Sequence, residues 1–410
     1  MKVLVNAYSC SPFRGSEPGM GWNWCINMAR YCELFIITEA NWKENIESVL
    51  PNLKQRDNMH FYYNAVPNKA LQMAKNQGDW RFYWYYRQWQ KRTLKIAREI
   101  CKEHNIDIIH HLNWTGFREP GFLWKIIGPK YVWGPVGGMD LCPIEYIKGI
   151  DSALTNRYRI KNFINGMQFR LENRVGKAAR RADLIFCDGD EGVRLFKKIY
   201  GVNSIQINEN GCTVREDVKR EKECGSDDGL DILWVGRFLP TKLLDLALRC
   251  LSQIDDGYKI KLHILGGGNF EDKYRSFAVE KGLNERIEWH GQVSHEEVQH
   301  IMRSADLFFF TSVVEGTPAV IMECISNGLP ILCFDTCGFG PLVDESIGMK
   351  IKVTTPEQSI REFSDKIIHL YNNRDELKLM SDNCSKKLKT ISWESLAEKL
   401  MGLYSEILTK

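Results

Sequence analysis

The chain has 410 residues, a length that predicts two or three domains at roughly 150 residues per domain. Hydrophobic residues make up 44% of the sequence, charged residues make up 26%, and the formal net charge is only +3. This balance excludes a disordered chain, and it does not favour a nucleic-acid-binding protein, for which a strongly basic composition is expected.

Two further features of the sequence bear on its compartment. The 13 cysteines are scattered from Cys10 to Cys384 without a C-x-x-C pair, which favours a reducing environment. No run of about 18 apolar residues is present, and the apolar stretch in residues 1–6 is too short for a signal peptide. We therefore expect a cytoplasmic protein whose only membrane contact would be peripheral, on the cytoplasmic face.

Short β-rich runs alternate with helical stretches along the chain, and this α/β alternation is typical of parallel sheets covered by crossover helices. Residues 1–212 are predicted to form a first doubly wound, Rossmann-like domain. A helix is expected near Gly21–Tyr31, after the first strand. The predicted strands are Val3–Val5, Leu34–Ile37, Ile106–His110, Tyr131–Trp133 and Asp183–Phe186.

Residues 213–390 are predicted to form a second domain of the same kind, which begins with a charged, turn-rich linker over residues 213–229. Residues 391–410 start with a capping signal and then carry apolar residues at helical spacing, which predicts an amphipathic helix. The strands predicted in the second domain are Leu230–Val235, Lys261–Leu265, Ile287–Trp289, Leu307–Phe310 and Ile331–Phe334.

Two glutamates separated by seven residues, Glu315 and Glu323, follow the predicted strand that ends at Phe310. Glu315 lies ahead of a predicted helix and Glu323 lies inside it, so both can face one ligand from different heights. The first helical amides, at Ala319 and Val320, have no partner within a helix and would point at an anion. The alternative is that both acids are ordinary surface residues.

A basic pair, Arg237 and Lys242, follows the first strand of the second domain. A guanidinium binds phosphate oxygens as a fork, and an ammonium supplies a point charge, at the sheet edge where open α/β sheets bind ligands. The glycine-rich loop of residues 11–21 permits close approach of the backbone to a ligand near Gly15. This loop lacks the spacing of a Walker loop and of G-x-G-x-x-G, so a nicotinamide cofactor is disfavoured.

With these three clusters, the chain resembles the retaining glycosyltransferases of family 4, which have the GT-B architecture of two Rossmann-like domains facing across a cleft. The resemblance runs nearly end to end. It rests on the glutamate motif, the Gly236-Arg237…Lys242 element, the glycine-rich first loop, Asn210-Gly211 at the domain crossover, and Trp393 in a last helix that crosses back to the N-terminal domain. The segments 15–19, 116–121 and 133–138 are similar to a bacterial subgroup associated with surface polysaccharide assembly.

The resemblance implies a metal-independent, cofactor-free hexosyltransferase that moves a sugar from a nucleoside-diphosphate-sugar to a saccharide or lipid-linked acceptor, in capsule, exopolysaccharide or lipopolysaccharide synthesis. The N-terminal domain would bind the acceptor and the C-terminal domain the donor. The site residues that it implies are Gly15, Gly236, Arg237, Lys242, Gly266, Gln292, Glu315, Gly316, Thr317, Ala319, Val320 and Glu323. Among these, Arg237 and Lys242 would neutralise the diphosphate, Glu323 would bind the ribose, and Glu315 would meet hydroxyls of the transferred sugar.

One position departs from the family pattern. Many members have a His-x-His element here, whereas the sequence runs His110-His111-Leu112-Asn113, so Leu112 occupies the place of the second histidine. Either His110, His111 or Asn113 then supplies the polar contact to the sugar, with His111 as the candidate, or the subgroup does without this contact. The alternative is that these histidines pack at the end of a strand.

Three alternatives stay open. Asp188-Gly189-Asp190 is an Asp-x-Asp run, which either holds a divalent metal or caps the following helix. The aromatic and basic stretch Trp80–Lys102, with the basic stretch Arg157–Arg181, either faces a membrane or packs a core. The protein could also be a nucleotide-sugar epimerase of the same fold, or a non-catalytic nucleotide-binding protein.

Overall fold

The computed structural model describes residues 1–75, 81–113, 116–171, 173–214, 220–222, 224 and 229–410. Trp80 and most of the predicted linker lie outside the described residues. The chain divides into two compact units: residues 1–139, 166–210 and 393–410 form the first, and residues 140–165 and 211–392 form the second. The chain passes from one unit to the other between Asn210 and Gly211.

Within the described ranges, the first unit contains a seven-stranded parallel sheet. Its strands are β1 (Lys2–Ala7), β2 (Glu33–Glu39), β3 (Met59–Asn64), β4 (Ile108–Asn113), β5 (Lys130–Val136), β6 (Leu184–Cys187) and β7 (Ile205–Gln206), in the spatial order β3-β2-β1-β4-β5-β6-β7. The order reverses between β1 and β4. Such a reversal is the topological switch point, where open parallel sheets bind ligands at the carboxyl ends of their strands.

The second unit contains, among its described residues, a six-stranded parallel sheet. Its strands are β8 (Leu230–Val235), β9 (Ile260–Leu265), β10 (Ile287–Gly291), β11 (Leu307–Phe310), β12 (Ile331–Phe334) and β13 (Gly348–Ile351), in the order β10-β9-β8-β11-β12-β13. The switch point of this sheet lies between β8 and β11. Both sheets confirm the predicted pair of Rossmann-like domains of the GT-B fold.

Helices cover both sheets, as near-continuous apolar strands such as Leu307–Phe310 require. The helices are α1 (Ser16–Met28), α2 (Lys43–Val49), α3 (Asn68–Lys75), α4 (Phe82–Glu103), α5 (Ile144–Ile147), α6 (Ser152–Leu171), α7 (Asn173–Arg181), α8 (Asp190–Leu195), α9 (Leu244–Gln253), α10 (Glu271–Glu280), α11 (His295–Ser304), α12 (Ala319–Ser326), α13 (Pro356–Asn372), α14 (Arg374–Thr390) and α15 (Trp393–Leu408). None of these helices, over the described residues, has the length and apolar character to cross a membrane.

The last helix packs into the first unit, as the resemblance implies. The Trp393 ring of α15 lies edge-on to Trp24 of α1, with ring centroids 5.9 Å apart. Farther along α15, the buried Tyr404 hydroxyl donates a hydrogen bond of 2.6 Å to Nδ1 of His110 on β4. Aromatic packing and a buried hydrogen bond therefore fix the C-terminal helix against the first unit.

The segment 140–165 belongs to the second unit, although the sequence places it in the N-terminal domain. Tyr146 of α5 is buried there: its hydroxyl lies 2.7 Å from Oγ of Ser359 and accepts a hydrogen bond of 3.0 Å from the Thr354 amide. The neighbouring Ile147 is also fully buried in the core of the second unit. These partners lie more than 200 residues away in the sequence, so local patterning does not reveal them.

Candidate active site

Two loops meet at the switch point of the second sheet, one after β8 and the other after β11. The carbonyl oxygen of Thr241 accepts hydrogen bonds from the Val313 amide at 3.2 Å and from the Ser312 hydroxyl at 3.4 Å. The Thr311 hydroxyl donates to the carbonyl oxygen of Lys242 at 2.7 Å. These bonds join the loop that carries the basic pair to the loop that carries the first glutamate.

Lys242 and Glu315 form an ion pair between these two loops, from Nζ to Oε1. The Ser312 hydroxyl donates to the same carboxylate oxygen at 3.0 Å, and the ammonium lies 5.5 Å from the centre of the Phe310 ring. The sequence predicts both residues at the site, but it does not predict that they contact each other. The pairing orients the carboxylate and places a cation and an anion together at the switch point.

Arg237 stands on the same loop as Lys242, and its side chain is exposed. Within the described part of the chain, its guanidinium has no hydrogen-bond or ion-pair partner. The loop beneath it is held in place, because Phe238 is 1% exposed and the Gly236 amide donates to the Leu265 carbonyl oxygen at 3.0 Å. The site therefore presents a free guanidinium on an anchored backbone.

The loops after β8, β9 and β10 approach one another backbone to backbone. The Phe238 amide donates to Gly267 at 2.9 Å, and the Gly266 amide donates to Gly291 at 2.8 Å. Gly266 has φ +131°, and a Cβ there would overlap the Gly236 carbonyl oxygen, so only glycine fits. Gln292 follows Gly291 and is exposed at the end of these loops.

Glu323 lies on α12, and its orientation is set by a neighbouring helix. Its Oε2 accepts a hydrogen bond of 3.1 Å from Gln299 of α11, and the amide oxygen of Gln299 accepts one of 2.7 Å from Asn327. Because this chain of hydrogen bonds holds the carboxylate in place, Glu323 is oriented to accept hydrogen bonds from hydroxyl groups of a ligand.

The start of α12 offers backbone donors. Pro318 is its extended N-cap, with φ −69° and ψ 135°, and no side chain caps the helix. The amides of Ala319 and Val320 therefore belong to the first turn, whose donors have no intrahelical partner. Gly316 is half-buried and Thr317 is 2% exposed, on the segment that leads into this turn.

The remaining predicted candidates, His111 and Gly15, lie in the first unit. His111 is 1% exposed, and its Nδ1 accepts a hydrogen bond of 2.9 Å from the Asn6 amide, which leaves the proton on Nε2. Burial, together with neighbouring His110, lowers the pKa of His111 to about 3. The ring is therefore neutral near pH 7.

His110 has a structural role. Its ring lies 2.6 Å from the Gly134 carbonyl oxygen through Nε2 and 2.6 Å from the Tyr404 hydroxyl through Nδ1. Burial lowers the pKa of His110 to about 4, so this side chain packs at the strand end as the alternative interpretation states.

In the glycine-rich loop, Gly21 is crowded by another part of the protein's own backbone, whereas the space around Gly15 is open. A Cβ on Gly15 would meet no atom within 4 Å, whereas one on Gly21 would overlap the Ser9 carbonyl oxygen. Asn113 holds the same turn, because its amide donates to Ser9 O at 2.7 Å and accepts from Ser9 N at 3.2 Å. Asn113 is thus committed to the framework of the first unit.

The Asp-x-Asp run does not cap its helix in the way the sequence suggests. The N-cap of α8 is Gly189, and Asp190 is the first helical residue, where a negative charge favours the helix dipole. Asp188 is 4% exposed beside Gly137. Among the described residues, the one group of three or more side chains close enough to share a metal ion contains neither aspartate.

The stretch from Trp80 to Lys102, where it is described, has one buried face and one exposed face. On α4, Phe82, Tyr86 and Trp89 are between 0% and 3% exposed, whereas Trp84 is 60% exposed. Packing therefore explains the buried aromatic residues of this helix, but not the exposed Trp84.

Comparison with known proteins agrees with this geometry. Residues 216–387 match the family model described as glycosyl transferases group 1. The chain is a glycosyltransferase of the GT-B fold. Its group 1 domain contains every site candidate of the second unit.

One sequence relative and two solved structures illustrate the match. The chain is 28% identical over 316 residues to an uncharacterised glycosyltransferase of Methanocaldococcus jannaschii, covering 77% of this chain and 80% of that protein. The lipopolysaccharide outer core galactosyltransferase WaaB, in its apo form, superposes with a TM-score of 0.65 at 15% identity, over 99% of this chain and 100% of that one. Anabaena HepE in complex with UDP superposes with a TM-score of 0.60 at 14% identity, over 99% and 100%. At such identities the two structures establish the fold.

Proposed function

We propose that this glycosyltransferase moves a hexose, with retention of configuration and without a metal on the diphosphate, from a nucleoside-diphosphate-sugar to a saccharide or lipid-linked acceptor in bacterial surface polysaccharide synthesis. One observation carries the proposal: the Lys242–Glu315 pair lies at the switch point of the second sheet, on the loops beside exposed Arg237 and α12. The names of the structural neighbours, a lipopolysaccharide galactosyltransferase and a UDP complex, agree with it.

The charges at this site suit a diphosphate leaving group. As the bond from the anomeric carbon to the phosphate oxygen breaks, negative charge grows on the diphosphate. Arg237, Lys242 and the first amides of α12 would stabilise that charge, so no metal ion is needed there. We expect removal of either cation to slow transfer more than it weakens donor binding.

The two glutamates suit the neutral parts of the donor. Glu323, oriented by Gln299, would accept from the ribose hydroxyls, and Glu315, oriented by Ser312, would accept from hydroxyls of the transferred sugar. In a same-face transfer the acceptor oxygen bonds to the anomeric carbon, and its proton passes to the departing phosphate oxygen. Neither glutamate forms a covalent bond in this scheme.

A lipid-linked acceptor would bring the protein to the cytoplasmic face of a membrane, and α6 has a suitable surface. This helix exposes a stripe of apolar side chains at helical spacing: Ile160, Phe163, Ile164, Met167 and Leu171, between 44% and 71% exposed. Its basic residues are Arg157, Arg159, Lys161 and Arg170, and it contains no acidic residue. We infer that α6 lies in the interface of an anionic bilayer. The 13 free cysteines agree with a reducing, cytoplasmic location.

The activity is tested with metal-free protein, nucleoside-diphosphate-hexoses of each base, and saccharide and lipid-linked acceptors. We expect nucleotide release that needs an acceptor, a product whose anomeric configuration by NMR matches the donor, and a rate unchanged by added Mg²⁺. Conversion of the donor sugar without an acceptor would instead indicate an epimerase. Nucleotide binding without release under any condition would indicate a non-catalytic protein.

The membrane contact is tested by sedimentation with vesicles of phosphatidylglycerol and of phosphatidylcholine. We expect binding to the anionic vesicles, lost in F163S/I164S and kept in I127S, because Ile127 is 81% exposed outside α6. Equal binding of all three proteins would contradict the assignment to α6.

A further inference from the structure

Three potential metal ligands share one face of the second sheet, next to its edge. The register pairs Glu288 of β10 with His263 of β9, so their side chains leave the sheet on the same side. His290 is the unpaired residue of an irregularity in β10 between Trp289 and Gly291, and its ring lies beside that of His263. The strand pairing and this irregularity together bring two imidazoles and a carboxylate close to one another.

The ligand atoms lie at distances that a single ion can span. Nδ1 of His263 is 3.1 Å from Nε2 of His290. The Glu288 carboxylate lies 3.7 Å from the first nitrogen and 3.6 Å from the second, through different oxygens. A zinc ion bonds nitrogen and carboxylate oxygen at about 2.0–2.2 Å, so two ligand atoms of one ion lie at most about 4.4 Å apart, and each of these separations is within that limit.

A further carboxylate orients one of the histidines. Nε2 of His263 lies 3.4 Å from Oδ1 of Asp231, on the adjacent strand β8. With the ring proton on that nitrogen, Nδ1 presents its lone pair to the other two ligands. A carboxylate bound to the second nitrogen of a ligating histidine is the usual outer-shell arrangement at zinc sites.

The charges around the group leave one carboxylate oxygen available. Lys261 forms an ion pair of 2.6 Å with Oε2 of Glu288, while Oε1 is the oxygen nearest His290. The histidine side chains are 17% and 18% exposed, so the site is shielded but reachable by an ion.

We propose that His263, Glu288 and His290 bind one divalent transition-metal ion, zinc in the first instance. The ion would link edge strand β10 to β9, and with them the loop that starts at Gly291. This site is separate from the diphosphate chemistry proposed above, and its test does not depend on activity. Without metal, the same atoms form a hydrogen bond between the two histidines, which is the competing account.

The test is a cobalt titration of reduced protein that has been stripped with chelator and desalted. We expect one equivalent of Co²⁺ to bind with visible d–d absorption, and Zn²⁺ to displace it. H263Q/H290Q should weaken binding by at least about 100-fold, and D231N by about 10–100-fold, the range found for outer-shell partners.

The matched control is H369Q, because His369 also pairs with a glutamate, Glu376 at 2.6 Å, but lies on α13 without a second histidine. If H263Q/H290Q fails to fold by circular dichroism, E288Q replaces it, since the Glu288 side chain is 44% exposed. Absence of saturable binding, equal binding by the variants and H369Q, or a thiolate-to-cobalt charge-transfer band would overturn the proposal.

Discussion

The two switch points of the molecule use similar backbone geometry for different purposes. At the first, the polar side chains of Asn6, His110 and Asn113 are at most 1% exposed and hold neighbouring backbone or side chains in place. At the second, Lys242 and Glu315 are paired but partly exposed, and Arg237 is free. Burial and charge, not position at a strand end, therefore separate a framework residue from a residue able to bind a ligand.

The largest effect is expected from Arg237→Ala. In the proposed transfer this guanidinium binds the leaving diphosphate, and among the described residues it has no hydrogen bond or ion pair that its loss would break. We expect kcat/KM to fall by about 10²–10³-fold, a range typical for loss of one donor to a developing oxyanion, with Tm unchanged. Arg361→Ala is the matched control, because Arg361 is an exposed arginine of α13 in the same unit. Equal kinetics for the two variants would remove Arg237 from the site.

The Lys242–Glu315 pair is tested by a double-mutant cycle of Lys242→Met and Glu315→Gln. Each single change should lower kcat/KM by about 10–100-fold, and the double variant should lose less than the product of the two, because paired groups act as a unit. Steady-state kinetics with one donor and one acceptor measure the coupling. Strict additivity would show that the contact has no role in transfer.

A half-buried acid at the start of α9, Asp245, should lower stability near neutral pH, although its side chain is 21% exposed and lies 3.9 Å from the Arg249 guanidinium. Burial raises the pKa of Asp245, at the start of α9, to about 6, and its Oδ1 has no hydrogen-bond partner among the described residues. The native state therefore keeps this proton to a higher pH than the unfolded chain, so stability falls as pH rises from about 4 to about 6.

Asp245→Asn should raise the free energy of unfolding at pH 7.5 by at most about 3 kcal/mol, and by less at pH 5. Urea unfolding at the two pH values measures the difference. An equal increase in the free energy of unfolding at both pH values, or a decrease, would contradict the raised pKa of the carboxyl group at this position.

At the first switch point, Tyr404→Phe should lower stability and leave activity nearly unchanged. The change removes the hydroxyl that donates to His110, which should cost about 1–3 kcal/mol of stability because a buried nitrogen is left unpaired. Donor kinetics should stay within twofold of wild type. A selective loss of activity at unchanged Tm would make this histidine functional after all.

The sequence predicts strands well where apolar runs are continuous, as at Leu230–Val235 and Leu307–Phe310, whose observed bounds match the predicted ones. It misses β3, where aromatic and polar residues mix, the two-residue β7, and β13, which has four residues and only two of them buried. Short or mixed strands are defined by their neighbours in the sheet, and a local pattern carries little of that information.

Individual site residues were predictable from charge and motif, but their partners were not. Nothing in the sequence links Lys242 to Glu315, or Glu323 to Gln299, because these contacts join different loops and helices. The structural role of Asn113 was not predictable for the same reason, since its hydrogen-bond partner Ser9 is 104 residues away in the sequence. The metal-ligand group at His263 depends on strand register, which appears only in the folded sheet.

The central claim is that a nucleoside diphosphate binds the second unit through Arg237 without a metal ion. Calorimetric titration of UDP, GDP and ADP into stripped wild-type protein, R237A and R361A tests it directly. We predict that one nucleotide binds wild type and R361A at a single site without added metal, and binds R237A at least about tenfold more weakly. Binding that needs Mg²⁺, or that is equal in all three proteins, would contradict it.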